Sequence, residues 1–434
     1  MTATEKPDSS PLRIHNFRAY LLARFSMIVG QYAMMLIIGW QTYTIARGNG
    51  LNAFEASGQL ALIGLLQFLP LFVLSPFSGL AADRFNRKTV SRLTIGLQFL
   101  GAAYLAWTTY SGHIDLTALF SVAVLLGVVR AFNGPALSAL APNLVPKAIL
   151  PNAIALSSIA WQTGMIVGPA VGGYAYDAMP ALPYAIASGL FLIAIISIST
   201  IGKVPRSPIN GAQHPIGQIV DGWRYVIQNK MVLGAITLDL MAVFLAGATA
   251  LFPPFAYDIL KVGETGLAQL AAAPAIGAAV TALWFSFRPL KNNVGPKMLW
   301  AVALFGVATI VFGFSRFMPL SLAMLVIVGA ADMFSVYIRQ SLIQLHTPDE
   351  KRGRVSSASM LTISASNEGG DAFSGFLASV IGPGGAVIFG GVGAIVTVAM
   401  WSRIFPVLRH TRTFDPPASL EEETPEQILQ EKIP

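Results

Sequence analysis

The chain has 434 residues, of which 54% are hydrophobic and only 11% charged, with a mean hydropathy of +0.63. Soluble domains carry about 25% charged residues, so this composition excludes an ordinary water-soluble globule and points to an all-α integral membrane protein embedded in a lipid bilayer. With no cysteine there is neither a disulfide framework nor a thiolate metal site, and the net charge of +7 comes from Lys and Arg at the ends of apolar runs, a topology signal rather than a nucleic-acid surface.

A hydrocarbon core of about 30 Å takes roughly 20 apolar residues per helix, and the sequence predicts twelve such segments. Residues 1–16 form a polar N-terminal tail without the layout of a cleaved signal. An N-terminal six-helix bundle, 17–201, is expected to hold helices over about 17–46, 59–82, 91–110, 116–140, 152–177 and 182–201. The polar stretch 202–230 ends in GQIVDGWRYVIQNK, whose helical period and mixed charge predict an interfacial helix within a linker. A C-terminal six-helix bundle, 231–408, follows, with helices over about 231–257, 266–287, 298–314, 320–345, 355–381 and 386–407. The tail 409–434 is acidic and has too little apolar surface to fold alone.

Lys and Arg concentrate in the termini and in the connections after the even-numbered helices. The opposite connections hold only Arg47, Lys261 and Arg316. Both termini are therefore expected on the cytoplasmic side of the membrane. Six helices, a basic linker and six more predict a duplicated, two-bundle transporter. The string VRAFNGP around Arg130 is expected to correspond to IRQSLIQ around Arg339, and RPLKNNVGPK after the eighth helix to the basic turn after the second.

That turn lies within GLAADRFNRKTVSR, Gly79 to Arg92, where five charges fall within ten residues between two apolar runs. Gly79 allows close helix approach, Asn86 tolerates a left-handed turn, and Asp83, Arg84, Arg87 and Lys88 form a candidate conformational switch loop. In the fifth helix, GMIVGPAVGG spaces Gly164, Gly168, Gly172 and Gly173 around Pro169, a small-residue stripe for helix packing. Ala271, Pro274, Gly277 and Ala278 are expected to give the eighth helix a matching face.

Charges inside helices are the sharper signal, since each costs on the order of 3 kcal/mol at mid-membrane. Arg130 and Arg339 are the intramembrane basic residues, while the shallower Arg24 is expected to snorkel. Asp239, Asp332, Glu368 and Asp371 are proton-coupling candidates. The competing reading makes these charges buried ion pairs that hold helices in register, for instance Asp332 with Arg339. Gln31, Tyr32, Gln41 and Asn133 are substrate-cavity candidates, and Trp40 is expected to anchor at the interface.

The pattern G-x-x-x-D-R-x-x-R-K from Gly79 to Lys88 resembles the loop signature between the second and third helices of the major facilitator superfamily, with Asn86 where relatives usually have Gly. The helix-5 glycines resemble that superfamily's exporter signature, which implies a role in closing the seam between bundles. The strings Arg130 to Leu156 and Gly329 to Gly375 resemble the branch that includes enterobactin exporters and macrolide efflux proteins. The resemblance implies a proton-driven efflux antiporter for a small amphipathic organic molecule, working by alternating access. It also implies that Asp83 faces the start of the eleventh helix near Gly353 to Val355. Many relatives carry an acid after the first-helix Gly, where this chain has Gly30-Gln31, so the C-terminal acids are the expected proton carriers. No cofactor is implied, and a single chain is the expected working unit. An importer or uniporter of the same fold and a non-transporting receptor or scaffold remain open. A membrane enzyme is disfavoured, because no HExxH, Walker loop or nucleophile–base set is present.

Overall fold

The computed structural model describes residues 10–138, 140, 143–146, 149–202, 215–288, 290 and 292–414, and every regular element among them is helical. The first half contains α1 (His15–Gly48), α2 (Ala53–Arg84), α3 (Arg87–Tyr110), α4 (Leu116–Ser138), α5 (Leu150–Ala178) and α6 (Leu182–Thr200). The linker helix α7 (Pro215–Gln228) leads into α8 (Lys230–Ala246), the single turn α9 (Phe252–Pro254), α10 (Gly263–Phe287), α11 (Val294–Phe314), α12 (Met318–Leu345), α13 (Asp349–Ile404) and the short α14 (Pro406–His410).

Polar residues at the apolar boundaries set the helix starts. Asn52 and Glu55 form a reciprocal capping box, the Asn52 oxygen accepting from the Glu55 amide at 3.0 Å and the Glu55 carboxylate from the Asn52 amide at 2.9 Å. This extends α2 six residues upstream of the expected 59. Asn86 caps α3 by accepting from the Lys88 amide at 3.0 Å, which requires extended rather than left-handed backbone (φ −67°, ψ 116°). The left-handed asparagine is instead Asn293 (φ 54°), before α11.

The expected seventh helix stops early. Gly247 and Pro253–Pro254 interrupt it, and the chain continues through α9 and a π turn at Phe255–Ile259. The last two expected helices run together as α13, divided only by the non-helical Gly382 (φ 81°, ψ 160°) before Pro383. Ten helices among the described residues are long and apolar enough to cross a membrane. α3 falls outside that set because it is more polar. Its Ser91, Thr94 and Gln98 are fully or nearly buried, turned towards the bundle rather than lipid.

α1 packs on α5 and α6, α2 on α4, and α3 on α4 and α6, around a core that includes Phe17, Tyr20, Ile95, Tyr184 and Phe191. In the second half α8 packs on α13, α10 on α12, and α11 on both α12 and α13, around Val232, Met298, Ile338 and Leu342. The halves meet where α2 crosses α13 and α5 crosses α10. Close-approach glycines repeat between them. Gly127 leaves room for the Gln67 carbonyl of α2, as Gly329 does for the Pro274 carbonyl of α10; Gly168 faces Val29 of α1, as Gly370 faces Val243 of α8. Both glycine pairs are 202 residues apart. This register sets Arg130 opposite Asp332, not opposite Arg339 as the sequence strings suggested, because it is backbone contact that fixes how the halves correspond.

Candidate transport site at the bundle interface

α4 and α13 run in opposite senses and bring one basic and one acidic residue to the same depth. Arg130 is fourteen residues into α4 and Glu368 fourteen residues before the Gly382 break, each about 21 Å along its helix from the face opposite the termini. Their side chains form an ion pair that joins the two bundles, with Glu368 almost wholly buried and Arg130 partly so. One turn on, Asp371 accepts from the Thr249 hydroxyl at 2.9 Å. Tyr32 of α1 lies within electrostatic reach of both members of the pair. Phe244 stacks on Phe373 with ring centroids 5.2 Å apart, and the Phe244 and Phe68 rings both approach Gly369, so aromatic surface lies beside Glu368. The Arg130 Nη1 is buried without a hydrogen-bond partner among the described residues.

A second charged cluster lies inside the C-terminal bundle. Arg339 of α12 pairs with Asp239 of α8, both buried, rather than with Asp332 on its own helix. The reason is geometric: two turns of α12 separate Asp332 from Arg339, whereas α8 lies directly alongside. Asp332 and Asp239 share a small cavity with Ser335. Each buried arginine thus neutralises one acid, and among the described residues Asp332 and Asp371 have no ion-pair partner.

The remaining expectations sort by position. Gln41 and Asn133 are buried within the N-terminal bundle, where Gln41 accepts from the Tyr184 hydroxyl (2.8 Å) and Asn133 from Thr94 (3.2 Å). Gln31 is half-buried and accepts from Gln98 at 3.4 Å. In the glycine stripe, Gly164, Gly168 and Gly172 pack against Ile28, Tyr32 and Ala33 of α1, with Pro169 on the same helix. Only Gly173 meets the other bundle, at Glu264 and Ala268 of α10, while Gly277 is used up against α12. Arg24 donates to the Tyr20 hydroxyl at 2.8 Å. Gly79, Asp83 and Arg84 belong to the last turns of α2, but the Asp83 and Arg84 side chains and the surroundings of Gly79 and Gly353 lie outside what the structure describes. Lys88 donates to the Ser199 carbonyl at 3.0 Å and to that of Ile201, a cation at the C-terminal end of α6.

Sequence reasoning missed the contact at the face opposite the termini. Asp258, in the π turn, accepts from the Tyr43 hydroxyl and from Arg47 at 2.9 Å. Trp40 and Tyr43 both pack edge-on against Tyr257. Trp40 is only 2% exposed and therefore a seam residue, not an interfacial anchor, because the broken helix places Tyr257 directly over it. The available signal was that Arg47 and Asp258 are opposite charges at helix ends on one face.

The family model of the Major Facilitator Superfamily matches residues 20–367. This chain belongs to the Major Facilitator Superfamily, a family of membrane transporters. Enterobactin exporter EntS of Escherichia coli O1:K1 is 25% identical over 387 residues, covering 88% of this chain and 86% of that protein. The protein of the same description from Citrobacter koseri is 26% identical over 388 residues, with the same coverage. Among solved structures, a POT family transporter in complex with 5-aminolevulinic acid superposes with a TM-score of 0.70 at 15% identity, over 91% of this chain and 97% of that one. The nucleoside transporter NupG superposes with a TM-score of 0.69 at 12% identity, over 90% and 99%. The expected superfamily and its all-helical membrane fold are therefore established.

Proposed function

We propose that this superfamily member is a proton-coupled exporter that moves a small amphipathic organic molecule out of the cell by alternating access. Twelve membrane crossings, with α3 and both parts of α13 included, form its two six-helix bundles. Both termini lie in the cytoplasm, and a single chain in the inner membrane does the work without catalysing a reaction. The observation that carries this reading is the Arg130–Glu368 pair with Asp371 one turn away. An ion pair between two bundles has to break when they part at that depth, and a carboxylate released from its arginine in a low-dielectric site takes up a proton more readily. Asp371, held by a hydroxyl instead of a cation, is the acid we assign to proton exchange. The aromatic surface beside Glu368 suits an amphipathic substrate. Export rather than import is supported by the curated relatives, which are described as exporters. In this state the Tyr43–Arg47–Asp258 contact and the Gly173 contact keep the outer side of the seam shut.

The deciding experiment compares substrate accumulation in cells lacking and overproducing the protein, then measures flux in proteoliposomes with and without an imposed proton gradient. Asp371→Asn should leave gradient-independent exchange intact and abolish its acceleration by the gradient. Full acceleration in both Asp371→Asn and Glu368→Gln would remove this site from coupling.

A further inference from the structure

On the face that carries the termini, an open cavity of about 690 Å³ lies between the linker helix and the C-terminal bundle. Its walls include Tyr225 of α7, Lys230 of α8, His346 after α12, Lys351 of α13 and Arg412 beyond α14. Three basic side chains and no carboxylate stand among the described residues that line it. Lys351 Nζ sits 5.1 Å from the Tyr225 ring centroid, and Arg412 donates to the neutral Asn293 side chain at 2.7 Å. Burial holds His346 below the ordinary imidazole pKa, with its Nδ1 3.0 Å from the Leu342 carbonyl, so the charge of the cavity resides on Lys230, Lys351 and Arg412.

We propose that this cavity is the docking site for the chain's own acidic C-terminal segment, centred on Glu421, Glu422, Glu423 and Glu426. The point of departure is fixed at the cavity rim. The Arg412 carbonyl accepts from the Val294 amide at 3.3 Å, the Thr411 carbonyl from the Gly295 amide at 3.1 Å, and the Phe414 ring meets Tyr337 edge-on at 6.2 Å. From Thr413, which itself lines the cavity, the eight residues to Glu421 extend up to about 28 Å, more than enough to fold back. Residues 415–434 carry six acids against one lysine, Lys432, the complement of the cavity's charge. A short tether also raises the local concentration of the segment to roughly the millimolar range, ahead of most free anions. Docked there, the segment would clamp α7 to α8 and α13, reinforcing the Asp221–Arg354 ion pair (2.9 Å) that already holds the linker to α13.

The test is zero-length carbodiimide cross-linking of the full-length protein in nanodiscs of phosphatidylcholine alone, read by mass spectrometry. A cross-link between Lys230 or Lys351 and a glutamate of 421–426 is expected. It should disappear in a variant with all four glutamates changed to Gln and fall several-fold near 1 M salt, where the screening length is about 3 Å. Arg412→Gln, which keeps both reactive amines, should lower its yield. An anionic lipid headgroup is the competing occupant. If phosphatidylglycerol in the discs suppresses the cross-link, the segment and the lipid share the site and the docking stands. Absence of the cross-link in discs of either composition, or a yield indifferent to both Arg412→Gln and salt, would overturn it.

Discussion

Glu368→Gln is the perturbation that most directly tests whether the central ion pair holds the bundles together. It leaves the Arg130 guanidinium at the interface with its countercharge removed. Losing one partner of a buried pair costs about 3–5 kcal/mol. Arg130 keeps 22% of its side chain exposed, so solvent screens part of this, and the lower end, about 3 kcal/mol, is the working figure. At about 1.4 kcal/mol per decade, the closed-to-open ratio of the seam should shift roughly a hundredfold towards open. Because the chain has no cysteine, that ratio can be read with two introduced ones and no background. A Cβ built on Gly58 of α2 lies 3.6 Å from the Ser379 Cβ of α13, within the separation of about 3.5–4.5 Å that a disulfide spans. In a Gly58→Cys/Ser379→Cys protein, oxidation competing against alkylation reports the closed and open forms. Adding Glu368→Gln should move the product towards the alkylated form, and the neutral double variant Arg130→Met/Glu368→Met should recover most of the disulfide. The same product ratio in all three backgrounds would refute the claim that this pair couples the bundles.

Three further outcomes follow from the packing and the topology. Asp258→Asn removes a partly exposed ion pair with Arg47, so a loss of about 1 kcal/mol is expected; alkylation of a single cysteine at Gly58 should speed up severalfold and lose its salt dependence. Gly329→Val drives a side chain into the Pro274 carbonyl and should cost about 1–3 kcal/mol, seen as reduced folded yield in detergent, whereas Gly189→Val, with nothing within 4 Å of its Cβ, should leave the yield unchanged. Asp83→Asn should impair transport at unchanged membrane abundance; normal flux would count against a locking role for the α2–α3 turn.

The apolar segments were legible because a membrane-length run of hydrophobic residues has few alternatives to a helix. Their ends were less so, since they depend on single contacts. Asn52 and Glu55 extend α2 through a reciprocal cap, and Pro253–Pro254 cuts short a run that hydropathy alone carries to residue 257. Which acids occur within the membrane was also legible, but not their partners. Asp332 and Arg339 share a helix face by spacing, yet Arg339 pairs with Asp239, because the closest cation–anion approach is set by how α8 lies on α12. The same limit hid the Trp40–Tyr257 contact, which exists only because a broken helix turns back over the first one.

The repeat register carries a consequence for mechanism. If Gly127 and Gly168 correspond to Gly329 and Gly370, then Arg130 and Asp332 occupy equivalent places in the two bundles and bear opposite charges. All four intramembrane acids lie in the second half, and Arg130 is the deep charge of the first. A guanidinium does not titrate in the working range, so at this position the N-terminal bundle supplies a fixed countercharge, and the proton coupling we propose is assigned to the C-terminal acids. The two halves thus differ in charge at one pair of equivalent positions, which is where the proposed coupling predicts a functional difference. Arg130→Asp with Asp332→Arg, which exchanges them, should preserve the summed charge and still abolish gradient-driven flux; retained flux in that swapped protein would show that the halves are interchangeable and the assignment of coupling to the C-terminal acids is wrong.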